Sequence, residues 1–218
     1  MSFSRGEHTS WRAPLLAGLL LGVFLMAMAG PRLIAALLDG PADRVLFYLQ
    51  RGANVTDGAL AGLIAARRSA IAWHETAQGH RDITEAVLQL VHRGHDATAL
   101  AEAEDAARRS LALAPLDPHS WARLAHIAWL RDHDARAAST ALLASVRVGA
   151  YEPTLTGWRV DLILQLWDAL AADERLTLAT QIRQLASDEP ETLAQLRVGS
   201  RAARIIDGAL QMVERPKW

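Results

Sequence analysis

The chain contains no cysteine. Disulfides, thiolate metal centres and cysteine nucleophiles are thereby excluded, while the redox compartment stays open. Lysine occurs once against 22 arginines, and the formal net charge is −1. That balance lacks the basic footprint of a nucleic-acid-binding protein. Aromatic residues make up only 6% of the chain, yet seven of the twelve are tryptophan. No phosphate-binding glycine loop and no G-x-S-x-G nucleophile turn occurs. No window of five or more residues alternates like a strand without fitting a helix equally well. Against these absences stand 42 alanines and 34 leucines, which favour helix. With 51% hydrophobic and 22% charged residues over 218 positions, the chain is neither disordered nor a multi-span membrane protein.

One hydrophobic run stands apart. Ala13 to Pro31 carries no charge and is flanked by Arg12 and Arg32. Nineteen helical residues span roughly 28 Å, close to the ~30 Å hydrocarbon core. The flanking arginines can snorkel to cover the deficit. A single membrane anchor is the first reading. A cleaved signal peptide is the second, since Ala27-Met28-Ala29 supplies an A-x-A site after an apolar stretch. A buried soluble helix is the third. Arginines before and after the span nearly tie. A short leader favours the N-terminus inside and residues 39–218 outside the cytoplasm, in a bacterium the periplasm. The expected organisation is a tail (1–12), an anchor (13–38) and one helical domain (39–218).

Punctuation in 39–218 is regular. Gly40-Pro41 opens a short helix that Gly52 closes, and Thr56 or Asp57 caps the next, which runs to about Gln78 with Gly79 as its stop. Asp82, with Glu85 three residues on, reads as a capping box. Gly94 ends that helix and Asp96 caps one over 97–114, whose Glu104–Arg108 and Asp105–Arg109 spacings suit i,i+4 pairs on a solvated face. Asp117-Pro118 starts a helix, Asp132-His133-Asp134 separates it from 135–148, and Gly149 ends that one. Pro153 and Asp173 open two more, and a last helix over 190–213 has Gly199 or Gly208 as its bend. Short turns between helices of 12–18 residues imply stacked helical hairpins, because a lone pair cannot bury both faces.

Residues 97–150 resemble tetratricopeptide repeats. With Trp121 at the fourth position, Leu124 falls on the seventh, Ala125 on the small eighth, Ala137 on the twentieth and Ala144 on the twenty-seventh, with Pro115 on the preceding repeat's terminal proline. Ala128 and Gly149 depart from the pattern, and Trp158 follows Trp121 by 37 residues rather than 34. The resemblance implies an all-α fold: a transmembrane helix followed by a tetratricopeptide-like α-solenoid of about eight helices. A longer stretch, 40–198, resembles the VpsP-type proteins of bacterial polysaccharide-biosynthesis loci. It rests on Trp121, Arg123, Leu124, Ala125, Glu152-Pro153, Arg159, Leu164, Trp167 and Gln181. That resemblance implies a setting in exopolysaccharide synthesis or export at the inner membrane and supplies no catalytic residue.

Candidate chemistry is sparse. His74-Glu75 begins a zincin motif, but Gln78 stands where the second histidine belongs. His92 and His95 straddle Gly94 and suit a helix end. His119, His126 and His133 recur every seven residues. In the repeat frame His119, His126 and Trp129 take positions that usually line the concave groove. Arg159 and Trp167 lie near that groove if Trp158 is a fourth position. These five form the candidate partner-binding strip. No catalytic, cofactor or metal residue is assigned, and no cofactor is expected. The expected function is a non-catalytic, membrane-anchored scaffold for protein partners. The alternatives are a carbohydrate-binding or polysaccharide-acting helical protein, and an assembly factor for another envelope complex. Five or more buried tryptophans would weaken the sugar reading.

Overall fold

The computed structural model describes residues 12–51, 53–95 and 98–214. Among the described residues there are ten α-helices and no strand. They are α1 (Arg12–Gln50), α2 (Asp57–Ile71), α3 (Ala77–His92), α4 (Ala99–Leu113), α5 (Pro118–Asp132), α6 (Ala135–Val148), α7 (Pro153–Leu166), α8 (Ala172–Asp188), α9 (Pro190–Leu196) and α10 (Ser200–Glu214). A short 3₁₀ turn, Trp167–Ala169, follows α7. The chain divides into two units, Met1–Glu75 and Thr76–Trp218.

In the first unit, α1 is a single helix of 39 residues with Pro31 and Pro41 inside it. Its length is about 58 Å, roughly twice the hydrocarbon thickness of a bilayer. The expected break at Gly40-Pro41 is absent. The reason lies in packing: Ile34, Ala35, Leu38, Ala42, Val45, Leu46 and Leu49 form one partly or fully covered stripe at helical spacing, and α2 packs against α1. Burial of that stripe overrides the local cost of proline, about 3 kcal/mol. By contrast, every side chain from Pro14 to Ala29 is exposed. The part of α1 from Pro14 to Leu49, which contains this stretch, is long and apolar enough to cross a membrane.

α2 starts where Thr56 accepts a hydrogen bond from the Ala59 amide at 3.3 Å. It stops at Ile71 rather than Gln78. Its buried Arg67 forms an ion pair with Asp39 at 2.8 Å and donates a hydrogen bond to Asp43 at 2.7 Å, a fork that holds both acids on one face of α1.

In the second unit, α3 begins earlier than the sequence suggests. Thr76 is extended and its hydroxyl accepts from the Gly79 amide at 3.1 Å. Gly79 is therefore in the first turn of α3 instead of being a stop, and Asp82 is buried within the helix instead of capping it. A threonine cap three residues before glycine outcompetes glycine's weak breaking tendency. Asp96 lies outside the described residues. Gly94, at φ +88°, ends the turn after α3. Asp117 accepts from the His119 and Ser120 amides with Pro118 next to it, and Asp134 caps α6 at Ala137. Asp173 sits inside the first turn of α8; the Ala171 amide is satisfied by Glu174. Of the two expected bend glycines, Gly199 at φ +92° separates α9 from α10, and Gly208 lies within α10.

α3 packs along α4 and α5 along α6, while α8 meets α7 and α10; α3, α5 and α7 are successive neighbours. The core runs through Ala125, Ala138, Leu142, Val160, Ile163, Leu178, Ile182, Leu185 and Ile206, each fully buried. The buried small residues of α6 are Ala138, Ser139, Ala141 and Ser145. Ala137, expected between helices, is exposed, and Ala144 is only half-buried, while their neighbours Ala138 and Ser145 take the interior positions.

Candidate functional site

α5 is anchored at its N-terminus by Asp117 and presents Trp121, Leu124 and Ala128 on one face. These residues floor a cleft of about 550 Å³ between α4, α5 and α6. The tryptophan indole is fixed by its Nε1–H donating to the Pro115 carbonyl at 2.9 Å. Trp121 and Leu124, expected to fill the space between paired helices, remain half-exposed.

The rim is charged. α4 contributes Glu104 and Arg108, the end of α5 contributes Arg131 and Asp132, and Asp134, Arg136 and Thr140 complete it. The expected Glu104–Arg108 pair forms at 2.8 Å, and Glu104 also accepts from Arg131. The Arg108 hydrogen bond is the main reason that the Glu104 carboxyl is held below its ordinary range, against the opposing effect of burial. Arg131 also donates to Asp132 at 2.6 Å, which raises the already high guanidinium pKa further. Arg136 has no ion pair among the described residues. An ionised acid held between two arginines is a poor proton donor. The cleft thus combines a fixed aromatic ring and an apolar floor with a rim of three arginines and three acids.

The five residues of the expected strip separate. His119 and Trp129 are half-exposed on α5, with the indole N–H of Trp129 donating to Gln165 at 2.6 Å. Burial, then Arg123, lowers the His119 pKa. His126 is interior, only 7% exposed. Its ring stacks on Trp158 at 4.7 Å and meets His92 edge-on at 5.0 Å. Its Nδ1 has no hydrogen-bond partner, and burial followed by His92 lowers its pKa to about 4.

Arg159 and Trp167 are a correction: both are buried in the core, with Arg159 fully so, and neither borders the cleft. The Arg159 guanidinium donates to Ser145 Oγ and the Ser145 carbonyl, to the Gly149 carbonyl at 2.8 Å and to Gln181 at 3.1 Å. It therefore neutralises the carbonyl end of α6, where a cation is favoured by the helix dipole. Gly149 permits this close turn; a Cβ there would lie 2.8 Å from the Pro118 ring.

Among the described residues no group of three or more histidine, aspartate or glutamate side chains is placed to hold a metal ion. Of the five described tryptophans only Trp167 is buried, so burial does not count against sugar stacking. The sequence reading missed the cleft rim: Glu104 and Arg108 were legible as a pair, but nothing local linked them to Arg131 across the helix gap. In comparisons with known proteins, no family model and no curated protein matches the chain.

Proposed function

We propose that this chain is a non-catalytic, membrane-anchored scaffold whose helical domain binds protein partners in bacterial exopolysaccharide biosynthesis or export. The cleft between α4 and α6 carries the reading: Trp121 and Leu124 offer a fixed apolar anchor point, and Arg136, beside the paired Arg108, Glu104 and Arg131, offers charge to an acidic or mixed peptide. The all-helical fold with its exposed apolar segment of α1 supports a tethered adaptor, and tethering raises effective concentration near membrane machinery. In this proposal the paired helices α3–α4 and α5–α6 are tetratricopeptide-like hairpins, α1 crosses the inner membrane once, and the helical domain is periplasmic. The VpsP-type resemblance of 40–198 supports the polysaccharide setting. A second reading places a sugar chain in the cleft, favoured by the half-exposed Trp121 ring beside charged groups.

A photo-cross-linking residue at exposed Thr140, on the cleft rim, tests this in cells. A discrete protein adduct is expected from Thr140 and not from a probe at exposed Thr177 on α8. Trp121→Ala should reduce it at least about tenfold, the effect of losing an aromatic anchor. Equal adducts from both positions, or an adduct that runs as a heterogeneous polysaccharide, would overturn the protein-scaffold reading.

A further inference from the structure

The first unit carries a second feature at the level where α1 changes character. Up to Ala29 all described side chains of α1 are exposed and apolar or glycine. From Gly30 and Pro31 the helix acquires its covered stripe, beginning with Ile34 and Ala35. Arg32 stands at that transition. On the uncovered side Leu33 and Leu37 prolong the apolar surface by about one turn.

α2 is joined to α1 by a short connection and runs back along it. The Arg67 fork fixes the register, because Asp39 and Asp43 flank one point of α1. Four further residues carry α2 about 6 Å toward the N-terminal part of α1, to about the level of Leu37. There the helix closes in a turn, with the Trp73 and His74 amides both donating to the Ala70 carbonyl. Trp73 follows, 53% exposed. An exposed tryptophan just past the end of that helix thereby falls near the level of Leu33 and Leu37, where the apolar surface of α1 ends.

We infer that the turn after α2 is a second membrane contact, in which Trp73 inserts into the headgroup–acyl boundary of a phospholipid bilayer. This rests on α1 spanning that bilayer. Tryptophan is enriched at this boundary because its apolar ring and its N–H are satisfied on opposite sides of it. The contact would hold the α1–α2 hairpin at a fixed depth, so that the upper 20 or so Å of α1 stand out of the bilayer as a braced post rather than a free tether.

The cysteine-free background makes the test direct. Full-length Ala72→Cys, Leu20→Cys and Tyr48→Cys variants, all retaining Trp73, are labelled with an environment-sensitive fluorophore and reconstituted in vesicles of phosphatidylcholine and phosphatidylglycerol; Ala72 is exposed and adjoins Trp73. Nitroxide lipids quench from shallow or deep positions. Deep quenching at Leu20 with shallow quenching at residue 72, at least about twofold stronger than at Tyr48 and lost when Trp73→Ser is added, is the expected result. Deep quenching at Leu20 with residue 72 no more quenched than Tyr48, or unchanged by Trp73→Ser, would overturn the interfacial contact while leaving the anchor intact. Absence of quenching at Leu20 would overturn the anchor, and the inference with it.

Discussion

Replacing Arg159 with alanine is expected to destabilise the second unit by about 3–5 kcal/mol. The side chain is fully buried, yet no carboxylate pairs with it among the described residues. Its partners are the Ser145 hydroxyl and carbonyl, the Gly149 carbonyl and Gln181. Truncation leaves these acceptors without a donor in the interior and opens a cavity, and each orphaned group costs about 1–3 kcal/mol. Burial lowers the guanidinium pKa to about 10, so the group still carries its charge at neutral pH. Ser145 in turn donates to the Pro118 carbonyl at 2.7 Å, and Gln181 donates to the Ala150 carbonyl at 3.0 Å. One side chain thereby ties α5, α6, α7 and α8. Chemical unfolding of the full chain in detergent, followed by far-UV ellipticity, measures the loss. Arg159→Lys should restore only part of it, because an ammonium cannot span the same fork. A melting curve for Arg159→Ala that overlays the parent would contradict this role.

The second large effect is acid sensitivity through His126. Its pKa falls from 6.5 to about 4 in the fold, so the folded state prefers the neutral ring. The contribution to stability is complete above the unfolded value and is lost as pH falls from about 6.5 toward 4. The difference amounts to about 3 kcal/mol when protonation is complete. His92 and Glu85 from α3 and Trp158 from α7 face this ring; His92 pushes the pKa down and Glu85 opposes it. The carboxylates of Glu85, Glu104 and Asp117 are held below their ordinary values. Their contributions are present above the unfolded carboxylate range and fade as pH drops below about 4.5. The two windows separate the causes. Unfolding free energy measured between pH 6.5 and 5 should fall markedly more steeply in the parent than in His126→Gln, where His119, whose pKa burial also lowers, still contributes, while both fall below pH 4.5. An equal slope in both proteins between pH 6.5 and 5 would assign the sensitivity elsewhere.

Much of the helical order was legible in the sequence because local chemistry marks it. Asp117-Pro118, Asp134, Gly94 and Gly149 each delimit an element where a cap or a turn is needed. Errors arose where packing overrides local signals. Pro41 sits inside α1 because the α2-facing stripe continues through it, and Gly79 sits inside α3 because Thr76 caps three residues earlier. Arg159 is expected near the groove only through the alignment of Trp158 as a fourth repeat position, and the hydroxyl, amide and carbonyl groups that surround it in the fold give it an interior role instead. The cleft was hidden for a related reason. Periodicity shows that Trp121 and Leu124 share a face, but it does not show that the α4–α6 gap leaves that face open.

Every functional statement depends on α1 holding the helical domain at a membrane and outside the cytoplasm. A single Ser187→Cys variant reads both, since Ser187 is exposed and the chain has no other cysteine. Cells with a permeabilised outer membrane and an intact inner membrane are treated with a membrane-impermeant maleimide, and membranes are then extracted with alkaline carbonate. The expected result is a labelled chain that stays with the membranes. A chain labelled only after lysis, or released by carbonate, would contradict a periplasmic domain tethered by α1.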